Sequence, residues 1–408
     1  MDILCKCCCG LDVHKKTITG CIITPQGKDI ATFGTMTKDL RALSAWIKDH
    51  GCTHVAMEST GVYWIPVYNL LENEALTVIV ANANHIKNVP GRKTDVSDAE
   101  WIADLLRHGL LKGSFIPPRG QRELRELTRY RRSLIAEHTR EVNRIQKVLE
   151  GCNLKLSSVV SRITGTTASH ILKALIQGEV DPEVLANFAK GRLVRKKREL
   201  MEALDGFIGP HQKKLLALQI DHLEYLEKQI KALDQEVAER LRPFEDDLAR
   251  LDTIPGVGRR NAEDILAEIG PNMDPFPSAE HLSSWAGISP GNHQSAGKWK
   301  SGRTTKGNRY LRVTLCESAQ AIGRMKPNFL SHQYHRIAAR RGKKRAAIAV
   351  GHSILVICYH LLRRKTEYVE LGANFYDERK EDSIVKHYLK RLESLGYTVS
   401  LKKVEACP

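Results

Sequence analysis

The chain has 408 residues, 42% of them hydrophobic, which allows two or three domains with real cores. A formal net charge of +16 and a pI of about 9.4 point to a polyanionic partner, nucleic acid first and anionic membrane second. No amphipathic anchor or lipidation motif supports the membrane, and ten cysteines without an export signal predict a cytoplasmic, nucleoid-associated protein with free thiols.

Taken in order, Cys5, Cys7, Cys8 and Cys9 crowd the start with no second Cys/His pair at ligand spacing. They are expected to pack as small hydrophobes in a strand rather than to knot a metal. Residues 8–24 read as strand, turn, strand, with Asp12 inside the apolar run Cys9-Gly10-Leu11-Asp12-Val13. A third strand, Asp29 to Phe33, completes an antiparallel meander. Leu40, Leu43, Trp46 and Ile47 give Thr37–His50 a helical spacing. A buried strand from Thr53 to Met57 follows and ends in Glu58. Ser59-Thr60-Gly61 turns into a helix over Tyr63–Glu74, and Leu76–Val80 is another strand. The alternation predicts an α/β domain, a mixed sheet covered by helices, whose sites form beyond the strand ends.

Asn82 to Arg92 is a loop made basic by Lys87, Arg92 and the adjoining Lys93, either a phosphate holder or an ordinary solvated loop. Lys93-Thr94-Asp95-Val96-Ser97-Asp98-Ala99 then opens a helix over Val96–Leu111. At i and i+3, Asp95 and Asp98 share a helix face. Converging with Asp12 and Glu58 they would repel one another unless a divalent cation neutralised them. An all-oxygen site suits Mg²⁺ or Mn²⁺ rather than zinc. The alternative is that each acid caps a helix or pairs with an arginine.

Pro117-Pro118 closes this first domain, 1–118. Over 119–248 an all-α region is expected, a coiled-coil and dimerisation segment. The helix from Gln121 to about Glu150 carries Arg129, Arg131, Arg132, Arg140 and Arg144, read as a basic exterior. Residues 151–210 hold short helices and the strongly basic run Lys190–Arg198. Leu216, Leu223, Leu226, Ile230, Leu233 and Val237 share one heptad register on a helix over His211–Arg242, which seals either an intramolecular hairpin or a dimer.

The next domain, 249–370, opens with Leu251-Asp252-Thr253-Ile254-Pro255-Gly256-Val257-Gly258, which resembles a helix-hairpin-helix offering amides to a DNA phosphate. Ser278 is an expected N-cap, and a glycine-rich polar loop, Gly287 to Gly302, follows its helix. Between Lys298 and Arg345 the only acid is Glu317. Lys298, Lys300, Arg303, Lys306, Arg309 and Arg312 are therefore predicted nucleic-acid contacts, with Arg92 and Lys93. Ser295 and Ser301 lie in the loop; with no evident His/Asp triad, either reads as a phosphate-contacting or turn-forming serine. Ala346–Leu362 is apolar between basic runs, short for a membrane span, and expected as a buried helix. Residues 371–408 are a charged tail.

Gly10-Leu11-Asp12-Val13-His14, Met57-Glu58-Ser59-Thr60-Gly61-Val62-Tyr63-Trp64 and Lys93–Ala99, together with the serine loop, resemble the motifs of the insertion sequence one-ten family of transposases over roughly 10–370. The resemblance implies an RNase H-like (RuvC-like) first domain with Asp12, Glu58, Asp95 and Asp98 as a metal-binding tetrad. It implies Ser295 as the nucleophile that attacks DNA, with Ser301 as runner-up. Dimers that pair into tetramers, and a structured guide RNA that selects the DNA sites, are further implications. Two competing readings remain: a metal-dependent nuclease or junction resolvase that uses water, and a nucleic-acid-binding scaffold without chemistry.

Overall fold

The computed structural model describes residues 3–82, 86, 98–289, 293–295, 298–301, 304–375 and 381–400. The chain divides into two compact units, Met1–Pro117 and Pro118–Pro408.

In the first unit β1 (Cys8–Val13), β2 (Thr17–Thr24) and β3 (Gly27–Gly34) form the antiparallel meander. β4 (His54–Glu58) and β5 (Thr77–Ala81) join parallel to β1, giving the order β3-β2-β1-β4-β5. Helices α1 (Thr37–Asp49), α2 (Trp64–Leu71) and α3 (Asp98–Arg107) accompany the sheet.

Strand parity decides what each face does, because alternate side chains point to opposite sides. Cys9, Leu11, Val55 and Met57 pack with Leu40, Leu43 and Ile47 of α1 and with Val67 and Leu71 of α2. Cys8, Ala56 and Ala81 pack instead with Ala99, Ile102, Ala103 and Leu106 of α3. Cys8 and Cys9 are fully buried in the strand, and burial pushes the thiols of Cys8 and Cys52 up to about 12. Protonated, buried thiols are poor metal ligands, in line with the packing role expected for them.

Gly10 marks where α3 crosses the sheet. A Cβ there would lie 2.3 Å from the Ala99 carbonyl oxygen and 2.4 Å from the Ala103 nitrogen. Both are backbone atoms, so relief requires the helix to lift. Gly10→Ala is expected to cost the first unit about 1–3 kcal/mol, read as a lower denaturant midpoint.

The second unit is helical. Two long helices, α4 (Arg119–Gly151) and α7 (Pro210–Leu241), pack side by side. Between them in sequence, α5 (Thr166–Gln177), α6 (Lys197–Leu204) and shorter turns build a small cluster around Leu156, Ile171, Leu172, Leu185 and Leu200. Of the heptad positions, Leu216, Leu223, Leu226 and Val237 are buried within this single chain. The intramolecular partner is α4.

The rest comprises α8 (Glu245–Asp252), α9 (Arg259–Ile269), α10 (Ala279–Ala286), the hairpin β6 (His293–Ser295) with β7 (Lys298–Ser301), α11 (Arg309–Ile322), α12 (Phe329–Arg341), α13 (Lys343–Arg364) and α14 (Glu381–Ser394). The apolar segment is α13, whose Val350, Gly351, Ile354, Leu355 and Cys358 are buried where it packs on α10, α11 and α12.

One expectation is corrected. Arg129, Arg131 and Arg132 do not form a basic exterior; they turn to acids on α7, α9 and α11. Arg131 is 1% exposed and donates to Glu263 (2.7 Å), Asp264 (2.8 Å) and Asp234 (3.1 Å). Arg129 holds Glu268 through two bonds of 2.7 and 2.8 Å. Arg132 reaches Asp264 at 3.4 Å and Thr314 at 2.8 Å. Only Arg140 and Arg144 remain on the surface, beside Glu137 and Glu141. Burial pushes the Asp264 carboxyl up while Arg131 pulls it back, so removing the arginine strands acids in a poorly solvated place. Arg131→Ala is expected to destabilise the second unit by about 3–5 kcal/mol, measurable by chemical denaturation.

Candidate active site

Parallel pairing sets Leu11 of β1 opposite Met57 of β4. Continued by one residue, that register sets Asp12 of β1 level with Glu58 of β4, near the end of both strands. By parity Asp12 shares the face of Cys8 and Gly10, and Glu58 that of Ala56, so both lie on the side that α3 covers. Helix α3 runs against β1: Ala103 meets Cys8, whose thiol donates to its carbonyl at 3.6 Å, while Ala99 meets Gly10. Its other end, Arg107, accepts from Leu4 N–H at 3.0 Å. The N-terminus of α3, and Asp98 with it, therefore faces the edge where Asp12 and Glu58 end. The positive end of the helix dipole favours negative charge there.

Asp12 is one quarter exposed, with His14 Nε2 at 3.1 Å. Glu58 accepts from the Thr60 hydroxyl at 2.9 Å. Asp98 is exposed as the first residue of α3. Asp95, Arg92 and Lys93 lie outside the described residues. Among the described residues no three His, Cys, Asp or Glu side chains form a group that could hold a metal. The backbone thus brings Asp12 and Glu58 together and sets Asp98 at the same edge. All three are carboxylates, the oxygen chemistry that suits a hard cation.

The second unit builds its feature around the serine loop. Ser295 ends β6 and pairs with Lys298 of β7, so only Ala296 and Gly297 connect the strands. Ser301 pairs with His293 at the opposite end of the hairpin, beside an irregularity between His293 and Gln294. Arg303 lies outside the described residues.

The neck of the loop is clamped. Gly287, with φ +67°, terminates α10, and a Cβ there would sit 2.7 Å from the Gly307 nitrogen. A Cβ on Gly307 would in turn lie 2.4 Å from the Gly287 nitrogen. Two glycines therefore let the entering and leaving strands of the loop touch. Arg312 on α11 ties the same two strands, donating to the carbonyls of Gly287 and, at 2.6 Å, of Thr305. Its guanidinium thus serves the loop's own backbone. Lys306 and Arg309, by contrast, are exposed.

Sequence reading overlooked two residues here. Asn308 caps α11 by accepting from Leu311 N–H at 3.1 Å, and its amide donates to Glu268 at 2.6 Å. Glu268 is 2% exposed and is the acid that Arg129 grips. The exit of the serine loop is in this way bolted to α4 through α9. Asparagine just ahead of a helical run was a readable cap signal; its acidic partner 40 residues earlier was not.

The same two regions carry the likeness to known proteins. Residues 9–154 match the DEDD-type IS110 transposase family, and 248–335 match the transposase family IS116/IS110/IS902. The transposase for insertion sequence element IS1111A of Coxiella burnetii is 26% identical over 372 residues, covering 88% of this chain and 90% of that protein. The pilin gene-inverting protein of Moraxella bovis is 24% identical, covering 88% of this chain and 96% of its own length. The insertion element IS110 43.6 kDa protein of Streptomyces coelicolor is 28% identical over 68% of this chain and 73% of its own. With both halves of the family pattern present in order along one chain, the protein belongs to the IS110 family of transposases and is a DNA transposase.

Proposed function

We propose that this transposase cuts and rejoins DNA by serine attack assisted by a carboxylate-held divalent metal, Mg²⁺ or Mn²⁺. The observation that carries the reading is the adjacency of Asp12 and Glu58 at one sheet edge, with the N-terminus of α3 facing them. The strand order β3-β2-β1-β4-β5, antiparallel then parallel, supports an RNase H-like (RuvC-like) domain. Asp12, Glu58, Asp95 and Asp98 would hold the ion, which when bound offsets negative charge on phosphate oxygens.

Ser295 supplies the nucleophile. Its Oγ–P bond forms as the bond from phosphorus to a deoxyribose oxygen breaks. The serine proton leaves to a base, and the departing oxygen takes up a proton. In the reverse step a deoxyribose hydroxyl of the new strand attacks the phosphoserine and regenerates the free serine. The ester keeps the energy of the phosphodiester, so rejoining needs no external energy source. A place at the end of a two-residue hairpin, on a loop clamped at its neck, suits a group that must reach into DNA.

Exposed Lys306 and Arg309, with Lys298, Lys300, Arg303, Arg92 and Lys93, contact phosphates in this reading, and Arg312 supports them from the loop neck. The turn between α8 and α9, with Gly256 at φ +78° and α9 beginning after Gly258, supports a further backbone contact of helix-hairpin-helix type. Homodimers pairing into tetramers would bring the carboxylates of one subunit to the serine of another, and a structured RNA would choose the sites. Incubation with DNA carrying the element's ends tests the reading. A protein-linked DNA end is expected in the presence of Mg²⁺, whereas free ends alone would mean that water is the nucleophile.

A further inference from the structure

The helical cluster of the second unit contains a basic pocket that belongs to neither matched family region, 9–154 or 248–335. Its volume is about 510 Å³, and Arg162, Lys190, Arg192 and Lys196 line it with no acid among the lining residues. Lys196 has Glu199 at 3.1 Å. Among the described residues, no carboxylate lies within ion-pair reach of Arg162, Lys190 or Arg192. This contrasts with α4, where the inward arginines are matched by acids of the same chain. All four side chains are exposed, so solvent screens their mutual repulsion; grouped in one concavity without acids, they still set up a positive potential that favours an anion.

The pocket wall is built rather than incidental. Lys190 N–H donates to the buried Thr167 hydroxyl at 3.2 Å, which pins the basic segment to the first turn of α5. Gly191, at φ +59°, then turns the chain so that Arg192 follows along the same rim. Val159 and Leu193 add an apolar stretch, so the space is both too large and too mixed for a lone phosphate. A sugar–phosphate segment presents that combination: an anionic group with an apolar ring beside it.

We infer that this pocket seats the phosphodiester backbone of bound nucleic acid, outside the carboxylate and serine sites. The inference rests on nucleic acid being the partner. It makes the region between the matched family domains a binding element rather than a spacer.

The test uses the full chain and fluorescence anisotropy, with a labelled duplex DNA and a labelled folded RNA hairpin as separate probes across a salt series. The variant Arg162→Gln/Lys190→Gln/Arg192→Gln is compared with Lys147→Gln/Lys214→Gln/Lys228→Gln, which removes three exposed cations elsewhere in the same unit. With three phosphates no longer neutralised, the slope of log K against log salt should shrink by about 2 to 3 for duplex DNA or the paired stem of the hairpin, or by about 2 where the pocket holds the hairpin's unpaired loop. Whichever probe responds identifies the source of the backbone. The control variant should keep the wild-type slope with that probe. Equal slopes for the pocket variant and wild type with both probes would overturn the inference, as would an equal loss in the control. Should circular dichroism show the triple variant misfolded, Arg192→Glu alone should still weaken binding to one probe, and unchanged binding would overturn the inference too. Failure of the wild type to bind either probe would instead remove the nucleic-acid reading itself.

Discussion

Asp12→Asn is expected to lower DNA strand cleavage by on the order of 10³-fold, the several kcal/mol that charge neutralisation at a phosphoryl centre supplies. The fold should survive. Asp12 is partly exposed near the end of β1, and its ion-pair partner among the described residues is the exposed His14. Melting temperatures without divalent ions should therefore match wild type, while Mn²⁺ binding followed by electron paramagnetic resonance should weaken. Glu58→Gln should behave alike, since Glu58 ends the adjoining strand and its carboxylate accepts from the nearby Thr60 hydroxyl. Full cleavage by either variant would remove the carboxylate site from the mechanism.

Ser295→Ala is expected to reduce strand joining by about 10³-fold or more, as loss of a nucleophile does in other covalent enzymes. Ser301→Ala should retain most activity, because Ser301 lies at the far end of the hairpin from the two-residue connection. Joining assays on the two variants separate the candidates. The inverse pattern would transfer the nucleophile to Ser301. Loss in both with DNA binding unchanged would point to the hairpin's shape rather than to either hydroxyl.

Much of the first unit was legible because its strands announce themselves. Cys9-Gly10-Leu11-Asp12-Val13 and His54-Val55-Ala56-Met57-Glu58 are short apolar runs with an acid at or next to their last residue, and the structure ends β1 and β4 there. What the runs do not encode is their pairing. Only register and parity reveal that Asp12 and Glu58 stand side by side on the face of α3. Gly10 read as one more strand residue; its reason is the backbone of Ala99 crossing above it.

The second unit was less legible because its decisive contacts are between distant charges. A row of arginines on α4 has the same spacing whether it faces water or acids. Glu263, Asp264 and Glu268 lie more than 130 residues away in sequence, and no local pattern links them to Arg129 and Arg131. The heptad of α7 announced an apolar seam without naming its partner, which within this chain is α4. The basic stretch around Arg312 does not announce that its guanidinium bonds carbonyls of its own loop.

The most direct test of the mechanism is peptide mapping, by mass spectrometry, of the protein recovered from a stalled reaction on DNA carrying the element's ends. A phosphodeoxyribosyl adduct on the peptide containing Ser295, absent when Asp12 is replaced by Asn, is the predicted result. Cleaved DNA with free ends and an unmodified Ser295 peptide would contradict it.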